Sequence, residues 1–223
     1  MAVGSAFQAA LGMGLALLVV PILALLDPGF IPGPMLLAGT VLTAMTAYQE
    51  RDAIDRKGLA ISLLGLLVGT VIGAVSLQYA AGPNVQRVFG AVILVAVLIS
   101  VLGSHVVPNT RNLIMGGGAA GVMGTMVGIH GPPISLVFQG AEPRVARAML
   151  GAFFTIAYLG SVAALALDGL FGRAGVERAV VLLPGVGIGL ALAPVVRRCV
   201  NRRRLRVAIL AVAAISGVLL VLK

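Results

Sequence analysis

A glycine-rich stretch that ends in a histidine and two prolines holds the residue types best suited to chemistry in this chain. It runs from 116 to 133 and reads GGGAAGVMGTMVGIHGPP. Glycine in a helix interior costs about 1 kcal/mol relative to alanine, and a helix begun earlier cannot continue through Pro132 and Pro133. The stretch therefore predicts a membrane segment that breaks part of the way across the bilayer. A broken backbone at that depth must be covered by protein or line a wet cavity.

A helix that restarts at Pro132 or Pro133 predicts an anion-binding site. The first turn of such a helix has free N–H groups, which together with the helix dipole attract an anion without a charged side chain. The competing interpretation is helix packing through small residues, as in Gly117-x-x-x-Gly121 and Gly124-x-x-x-Gly128. Packing accounts for the glycines up to 124, but it does not account for Gly131 and the prolines that follow it.

His130 lies at the predicted break, and an ionisable residue inside a membrane is a functional candidate by default. It can donate a hydrogen bond to an anion or carry a proton near neutral pH. The equally weighted alternative is a neutral histidine that satisfies a carbonyl of the broken backbone. Other polar residues near the two breaks either line a cavity or hydrogen-bond to a neighbouring helix; they are Gln8, Thr125, Ser135 and Gln139.

The sequence predicts no metal site, no cofactor and no enzyme active site. His105 lies near a segment end, the apolar segments contain no carboxylate, and Cys199 is the only cysteine. His-Glu-x-x-His, Gly-x-Ser-x-Gly and Walker motifs are absent. The glycines at 185, 187 and 189 resemble a nucleotide-binding loop only superficially, because no strand precedes them.

Composition shows that membrane helices must position these residues. Of the 223 residues, 60% are hydrophobic and 10% are charged, against roughly 25% charged residues in a soluble domain. The mean hydropathy is +1.11, and a soluble fold of this size would leave too much apolar surface exposed. Eight spans of about 20 residues would use most of the chain. We therefore expect an all-α polytopic membrane protein without a soluble catalytic domain.

Apolar runs divide the chain into about eight hydrophobic segments, and the first and fifth are broken or re-entrant in our interpretation. Both contain glycine and proline residues that interrupt a helix. The segments are 6–26, 34–48, 58–81, 88–107, 113–138, 146–167, 179–196 and 207–222.

The two halves of the chain look related, which predicts two membrane repeats, 1–112 and 113–223. Gly12 and Pro21 are nine residues apart in the first segment, as Gly124 and Pro133 are in the fifth, at an offset of 112. Duplicated halves of this kind are typical of transporters. Segments three and seven repeat a glycine pair at an offset of 116, namely Gly69 with Gly73 and Gly185 with Gly189; the longer stripe Gly65-x-x-x-Gly69-x-x-x-Gly73 is typical of helix packing.

The distribution of basic residues favours re-entrant hairpins at segments one and five. The net charge is +9. Basic and aromatic residues do not interleave in a loop, so this charge does not indicate nucleic-acid binding. Eight crossings would place 7 Lys and Arg on one side and 9 on the other, whereas two hairpins give 12 against 4. Cytoplasmic loops collect Lys and Arg, so we expect both termini outside the cytoplasm. The basic run 197–206 then anchors to anionic lipid heads.

The glycine, histidine and proline pattern of the second half resembles a known family. Gly121-x-x-Gly124-x-x-x-Gly128-Ile-His-Gly131-Pro132-Pro133, followed by Glu142-Pro143 and Arg147, resembles the second-half signature of the sulfite exporter TauE/SafE family. In the first half, Gly12-x-Gly14 with Pro21 resembles the opening segment, and the stretch from Arg51 to Lys57 resembles the basic connection after the second segment. The resemblance implies a membrane transporter that exports sulfite, sulfonates or related organosulfur or carboxylate anions.

We therefore expect a multi-pass protein of the cell membrane that acts as a secondary transporter or facilitator for small anions. The expected partners are a small anionic substrate and the lipid bilayer, not nucleic acid, with homo-oligomerisation left open. The alternatives are a cation or metal carrier that uses His130, and a non-transporting accessory subunit. The expected substrate-binding residues are Gly12, Gly14, Pro21, Thr125, Gly128, His130, Gly131, Pro132 and Pro133.

Overall fold

The computed structural model describes residues 1–12, 14–80, 85–102, 106–199 and 202–222, with the side chains of 11, 80, 197–199 and 202–206 outside the description. His105 and the side chains of the basic run 197–206 therefore lie outside the described part of the chain. The helices are α1 Ala2–Leu11, α2 Leu15–Leu26, α3 Gly33–Gln49, α4 Arg56–Ala80, α5 Val85–Leu102, α6 Thr110–Val127, α7 Gly131–Val137, α8 Pro143–Leu167, α9 Arg173–Cys199 and α10 Arg202–Leu222.

The all-α polytopic membrane architecture is confirmed. Short 3-10 turns at Pro28–Phe30 and Arg51–Ala53 are the remaining regular elements of the described residues. Among the described residues, four helices are long and apolar enough to span a bilayer, and they correspond to α4, α5, α8 and α9. The shorter apolar helix α2 and the apolar stretch Val207–Leu222 of α10 belong to the same bundle. Many large apolar side chains on these helices face outward, as expected for a protein whose solvent is lipid.

Left-handed glycines end the first arm of each interrupted segment. Gly12 closes α1 at φ +81°, and Gly128 closes α6 at φ +83°. The Gly12 amide donates to the carbonyl of Gln8, and the Gly128 amide donates to the carbonyl of Gly124, each at 2.7 Å. Glycine takes this conformation without the Cβ penalty of other residues. These two capping glycines are 116 residues apart, so the structural counterpart of Gly12 is Gly128. The sequence analysis paired Gly12 with Gly124, which lies inside α6.

Both interrupted segments fold back on themselves as re-entrant hairpins. A methyl group on Gly4 of α1 would touch Leu15 and Val19 of α2, although a straight helix would hold residues 4 and 19 about 22 Å apart. In the second segment, a methyl group on Gly116 of α6 would lie 3.0 Å from the Val137 side chain of α7. The two arms therefore run side by side in each case, and we name them hairpin 1 (α1–α2) and hairpin 2 (α6–α7).

Two polar contacts between connections exclude the arrangement in which all eight segments cross. Glu50, at the end of α3, binds Arg147, near the start of α8, at 2.8 Å. Arg178, near the start of α9, donates to the carbonyl of Gly29, between α2 and α3, at 3.0 Å. Eight crossings would place the partners of each contact on opposite faces. With two hairpins the partners share a face, so the structure matches the hairpin arrangement.

Small residues let the first arm of each hairpin press against a helix of the other half. Gly69 of α4 lies against the backbone of Gly118 in α6, and a methyl group on Gly121 would meet the Leu66 carbonyl oxygen 2.6 Å away. Gly189 of α9 lies in the same way against α1, where a methyl group would lie 2.7 Å from the carbonyl of Ala2. The glycine stripe of α4 is therefore a packing surface, as the sequence predicted.

The two predicted repeats share one hydrophobic core. Its buried residues extend from Ala9 to Leu220 and include members of both halves. Helix α3 runs antiparallel to α8 through the centre, where Thr155 donates to the hydroxyl of Thr43 at 3.1 Å. A methyl group on Gly151 would lie 3.0 Å from the Ala47 amide, so the two backbones approach closely. The division into repeats 1–112 and 113–223 stays a prediction, and the core of the described residues draws on both halves.

Candidate functional site

The imidazole of His130 is enclosed at the turn of hairpin 2. His130 is 0% exposed and forms the N-cap of α7. The left-handed turn at Gly128 carries the chain back toward α6, so the ring lies directly over Gly124, where a methyl group would overlap it. Gly124 therefore creates the space that the ring occupies. The residues 124 to 130 form one local unit of glycine, turn and histidine.

A chain of hydrogen bonds joins His130 to two buried hydroxyl groups. The Nε2 atom lies 3.1 Å from the Ser161 hydroxyl of α8, which lies 2.8 Å from the Thr125 hydroxyl of α6. All three residues are 0% exposed. Ser161 was not predicted, because its position relative to His130 depends on how α8 packs against hairpin 2. A serine in an apolar helix is the weak signal that was present.

The other ring nitrogen of His130 has no hydrogen-bond partner. Nδ1 is buried and unpaired in the structure, and an unpaired buried polar atom costs about 1–3 kcal/mol. When Ser161 donates to Nε2, Nδ1 carries the ring proton and is free to donate to a ligand. An orphaned donor of this kind calls for an explanation, and a bound anion would supply one.

Aromatic rings of α8 form the wall beside His130. The centroid of the Tyr158 ring is 5.1 Å from that of His130, and the two planes are tilted by 53°. Phe154 stacks on Tyr158 at 5.8 Å and lies edge-on to Phe153 at 5.9 Å. Water is excluded from this environment, which strengthens any hydrogen bond made there.

The start of α7 offers fewer free N–H groups than the sequence analysis expected. The helix begins at Gly131, so Pro132 and Pro133 occupy its second and third positions. Proline has no N–H group, and only Gly131 among these three residues can donate to an anion. Ser135 does not add a donor there, because its hydroxyl donates to the Pro132 carbonyl at 3.1 Å. The N–H donors at this break are therefore supplied more by the His130 ring than by the first turn of α7.

Hairpin 1 is braced by the side chain of Gln8. Its Nε2 donates to the Gly12 carbonyl at 3.3 Å, and its Oε1 accepts from the Leu15 amide at 3.2 Å. The side chain thus joins the end of α1 to the start of α2, across Gly12 and Gly14 (φ +118°). Gln8 was predicted to line a cavity or to hydrogen-bond to a neighbouring helix. Its bond to Leu15, the first residue of α2, confirms the second alternative, and both of its bonds lie within hairpin 1.

The two breaks lie at different depths along α8. Gly12 packs against Arg147, since a methyl group on Gly12 would lie 3.3 Å from the Arg147 Cα, whereas His130 packs against Tyr158. Eleven helical residues separate these positions, which corresponds to about 16 Å. A methyl group on Gly128 would lie 3.5 Å from the side chain of Val20, next to Pro21 in α2. The structure therefore brings Pro21 near the second break but not Gly12 or Gly14. The assignment of these residues to substrate binding stays a prediction.

The second break is closed to solvent in this structure. The buried neighbours of His130 include Thr125, Ile129 and Pro133. A cavity of about 420 Å³ opens elsewhere, at the foot of hairpin 2, and is lined by Val106, Val107, Pro108, Val137, Gly140 and Ala141. Within the described ranges, no cluster of three or more His, Cys, Asp or Glu residues could hold a metal ion.

A cluster of charges lies where the end of α3 meets the start of α8. The Glu50 carboxylate binds Arg147 at 2.8 Å and Arg144 at 3.2 Å. Burial by itself raises the pKa of Glu50, but the hydrogen bonds and charges of Arg147 and then Arg144 outweigh it and hold the pKa below its ordinary value. Sequence reasoning did not identify this cluster as a site. The two arginines are 94 or more positions from Glu50 in the sequence and meet it only through the packing of α3 on α8.

Comparison with known proteins returned a family model that matches nearly the whole chain. A family model described as sulfite exporter TauE/SafE matches residues 1–220, and this is a family of membrane transporters. Searches of the curated proteins and of the solved structures each returned no match to the chain. The match covers nearly all of the 223 residues, including both hairpins and the glycine, histidine and proline pattern of the second. This multi-pass membrane protein therefore belongs to the sulfite exporter TauE/SafE family.

Proposed function

We propose that the protein is a secondary transporter or facilitator that exports a small anion, such as sulfite, an organosulfonate or a related organic anion, across the cell membrane. The observation that carries the proposal is the unpaired Nδ1 of His130, enclosed at the turn of a re-entrant hairpin. Irregular backbone at membrane depth is tolerated where it is buried in protein or lines a water-filled cavity. A transport path past the turn of hairpin 2 gives such a backbone a function.

The chemistry around His130 supports an anion as the substrate. The donors that remain at this break are the N–H of the imidazole at Nδ1 and the Gly131 amide in the first turn of α7, because the Ser161 hydroxyl donates to Nε2 and the Thr125 hydroxyl donates to Ser161. Donors of this kind recognise the oxygen atoms of a sulfite, sulfonate or carboxylate group. A cation carrier would instead need carboxylate or carbonyl oxygens directed at the site. The membrane potential, negative inside, favours the exit of an anion by about 2.3 kcal/mol per charge per 100 mV.

The decisive experiment measures anion flux in proteoliposomes that contain the purified protein. Sulfite, methanesulfonate and acetate are offered separately, with and without an imposed proton gradient. We expect saturable flux of at least one anion and its loss in His130→Ala. Ser135→Ala is the matched control, because it removes a different buried polar group of hairpin 2, a hydroxyl that donates to the Pro132 carbonyl.

Three outcomes would contradict parts of this proposal. Flux that survives in His130→Ala keeps the transporter and moves its site. Flux that appears only after a co-purifying protein is added identifies an accessory subunit. Stabilisation by a divalent cation that His130→Ala abolishes identifies a cation carrier.

The orientation in the membrane can be tested separately. Reporter tags at the two termini should both be accessible from outside the cytoplasm, because this orientation places the more basic connections inside. Tags that are accessible only from the cytoplasm would reverse the orientation without changing the fold.

A further inference from the structure

A guanidinium and carboxylate cluster, distinct from the His130 site, closes one end of the α3–α8 pair. One oxygen of Glu50 accepts from Nε and Nη2 of Arg147 at 3.2 and 2.8 Å, and the other accepts from Nε of Arg144 at 3.2 Å. The Glu50 and Arg147 side chains are only 14% and 15% exposed. Arg144 is half exposed at 52%. The cluster is therefore a mostly enclosed pair with one arginine at its solvent edge.

The cluster has the composition of an oxyanion site that is occupied by a carboxylate of the protein itself. Guanidinium groups bind carboxylate, sulfonate and phosphate oxygens through the same forked N–H donors. Two guanidinium groups face the single Glu50 carboxylate, so a positive charge remains to attract a further anion. Asp52 lies 4.0 Å from Arg144 but is 79% exposed, and solvent weakens its effect. Arg51, another nearby charge, is directed at Asp52 and the Tyr48 ring.

The cluster touches the turn of hairpin 1. A methyl group on Gly12 would lie 3.2 Å from Cγ and 3.3 Å from Cα of Arg147. An anion held by Arg147 would thus lie next to the break between α1 and α2. From there, the same helix α8 leads to Tyr158 and the His130 ring, about 16 Å away along the helix axis.

The opposite end of the α3–α8 pair is built differently. There the Phe171 ring lies over Gly33 at the start of α3. Arg178, the nearby cation, donates to the Gly29 carbonyl and lies 5.8 Å from the Phe30 ring. Among the described residues, a carboxylate and guanidinium cluster is therefore found at one end of this pair, and the other end is closed by an aromatic ring and a backbone carbonyl.

We propose that Arg147 and Arg144 capture the transported anion at this face, where it replaces the Glu50 carboxylate before it passes to His130. This inference rests on the proposed transport of anions. The distribution of Lys and Arg predicts that this face is cytoplasmic, so the cluster loads the anion for export. Glu50 acts as a resident competitor that holds both arginines in position while no anion is bound.

The test compares Glu50→Gln, Arg147→Gln, Arg147→Lys and Arg144→Gln in flux and in binding. Flux of sulfite, methanesulfonate and acetate is measured in proteoliposomes of known orientation. Binding is measured as the rise in Tm of the detergent-purified protein when each anion is titrated. Glu177→Gln is the matched control, because it removes a carboxylate from an exposed pair with Arg173 on α9, at 3.0 Å.

We expect the loss of the carboxylate and the loss of an arginine to change KM in opposite directions. Glu50→Gln should lower the KM of the anion at this face on the order of tenfold, the size of one charge-assisted hydrogen bond. Arg147→Gln should raise it by a similar factor, and Arg147→Lys should lie between because it keeps the charge but loses the fork. Arg144 lies at the exposed edge of the cluster, so the Arg144→Gln variant should fold normally and its KM should rise a few-fold.

Each failure has its own pattern. If the Glu50 and arginine variants lower Tm while KM and anion-dependent stabilisation stay unchanged, the cluster only ties α3 to α8, and the inference is overturned while the proposed transport stands. An equal KM change in Glu177→Gln would also overturn it, because the effect would then be one of general surface charge. A wild-type protein that neither transports nor binds any of the three anions would overturn both proposals.

Discussion

Hairpin 1 and hairpin 2 share a backbone design and differ in the side chain that occupies the break. Each first arm ends in a left-handed glycine whose amide donates to the fourth residue before it at 2.7 Å. In hairpin 1 the break is filled by Gln8, which bonds to both sides of its own turn. In hairpin 2 it is filled by His130, which bonds to Ser161 of α8 and keeps Nδ1 unpaired.

This difference separates a structural break from a candidate ligand site. The Gln8 side chain bonds to the adjacent backbone through its NH2 group and its carbonyl, so the turn of hairpin 1 is satisfied without a ligand. The unpaired buried atom of hairpin 1, the Ser5 hydroxyl, lies about two helical turns before Gly12, away from the break. The His130 ring has one satisfied and one unsatisfied nitrogen in a dry, aromatic environment, and a buried donor of that kind gains most from a ligand. A re-entrant hairpin is therefore not by itself a binding site, because the side chain at its break decides the role.

Gly124→Ala should have the largest effect of any single change at the breaks. The added methyl group would overlap the His130 ring, and overpacking of a buried site costs about 1–3 kcal/mol. We expect anion flux at background level and a lower Tm in detergent. Gly118→Ala, on the same helix, is the control, because its methyl group would lie 3.5 Å from the nearest atom, the Gly65 carbonyl oxygen. Normal flux in Gly124→Ala would show that the ring position is not needed for transport.

Alanine substitutions at three left-handed glycines compare the space around the two hairpin turns with that at an open position. Alanine in the left-handed region costs about 1–2 kcal/mol, and this penalty applies equally at Gly12, Gly128 and Gly169. Gly12 also has Arg147 within 3.2 Å of the added methyl carbon, Gly128 has its nearest neighbour at 3.5 Å, and Gly169 has none within 4 Å. Thermal unfolding should therefore show the largest loss of Tm for Gly12→Ala. Equal losses at all three would contradict the close contact between hairpin 1 and Arg147.

Gln8→Ala should show that hairpin 1 supports the fold without taking part in anion binding. It removes two hydrogen bonds and leaves buried backbone groups unpaired, for an expected loss of about 1–3 kcal/mol. The Tm should fall, while the KM for the transported anion stays at its wild-type value. Gln139→Ala, at an exposed position after α7, is the matched control and should leave both unchanged. A changed KM in Gln8→Ala would give hairpin 1 a direct part in binding.

Acid should weaken the support of hairpin 1 by a small amount. The pKa of Glu50 is lower in the folded protein than its ordinary value, so its pairing stabilises the fold above the unfolded pKa, and this contribution is lost as the pH falls through the folded pKa. The Tm difference between wild type and Glu50→Gln, measured from about pH 7 to about pH 3, should shrink as the pH falls. A difference that does not depend on pH would show that the Glu50 charge contributes nothing to the stability of the fold.

Local sequence signals predicted most of the architecture. The apolar runs identified the helices, and the glycines and prolines marked the first and fifth segments as interrupted, because those residues disfavour a continuous helix wherever they occur. Loop charge favoured hairpins over crossings. The glycine stripe of α4 predicted a packing surface, and its contacts with α6 confirm it. The expectation of several free N–H groups at α7 was wrong, since the helix begins at Gly131 and includes both prolines in its first turn.

The sequence by itself determined that this chain is a membrane-embedded helical bundle with two breaks and a histidine at the second, because composition and local backbone preference act over a few residues. Only the tertiary structure decided which groups surround those breaks. Ser161 reaches His130, Arg147 reaches Gly12, and Glu50 joins two arginines of the other half. These contacts depend on how α8 lies against α3 and both hairpins, and helices far apart in the sequence carry no local signal of their packing.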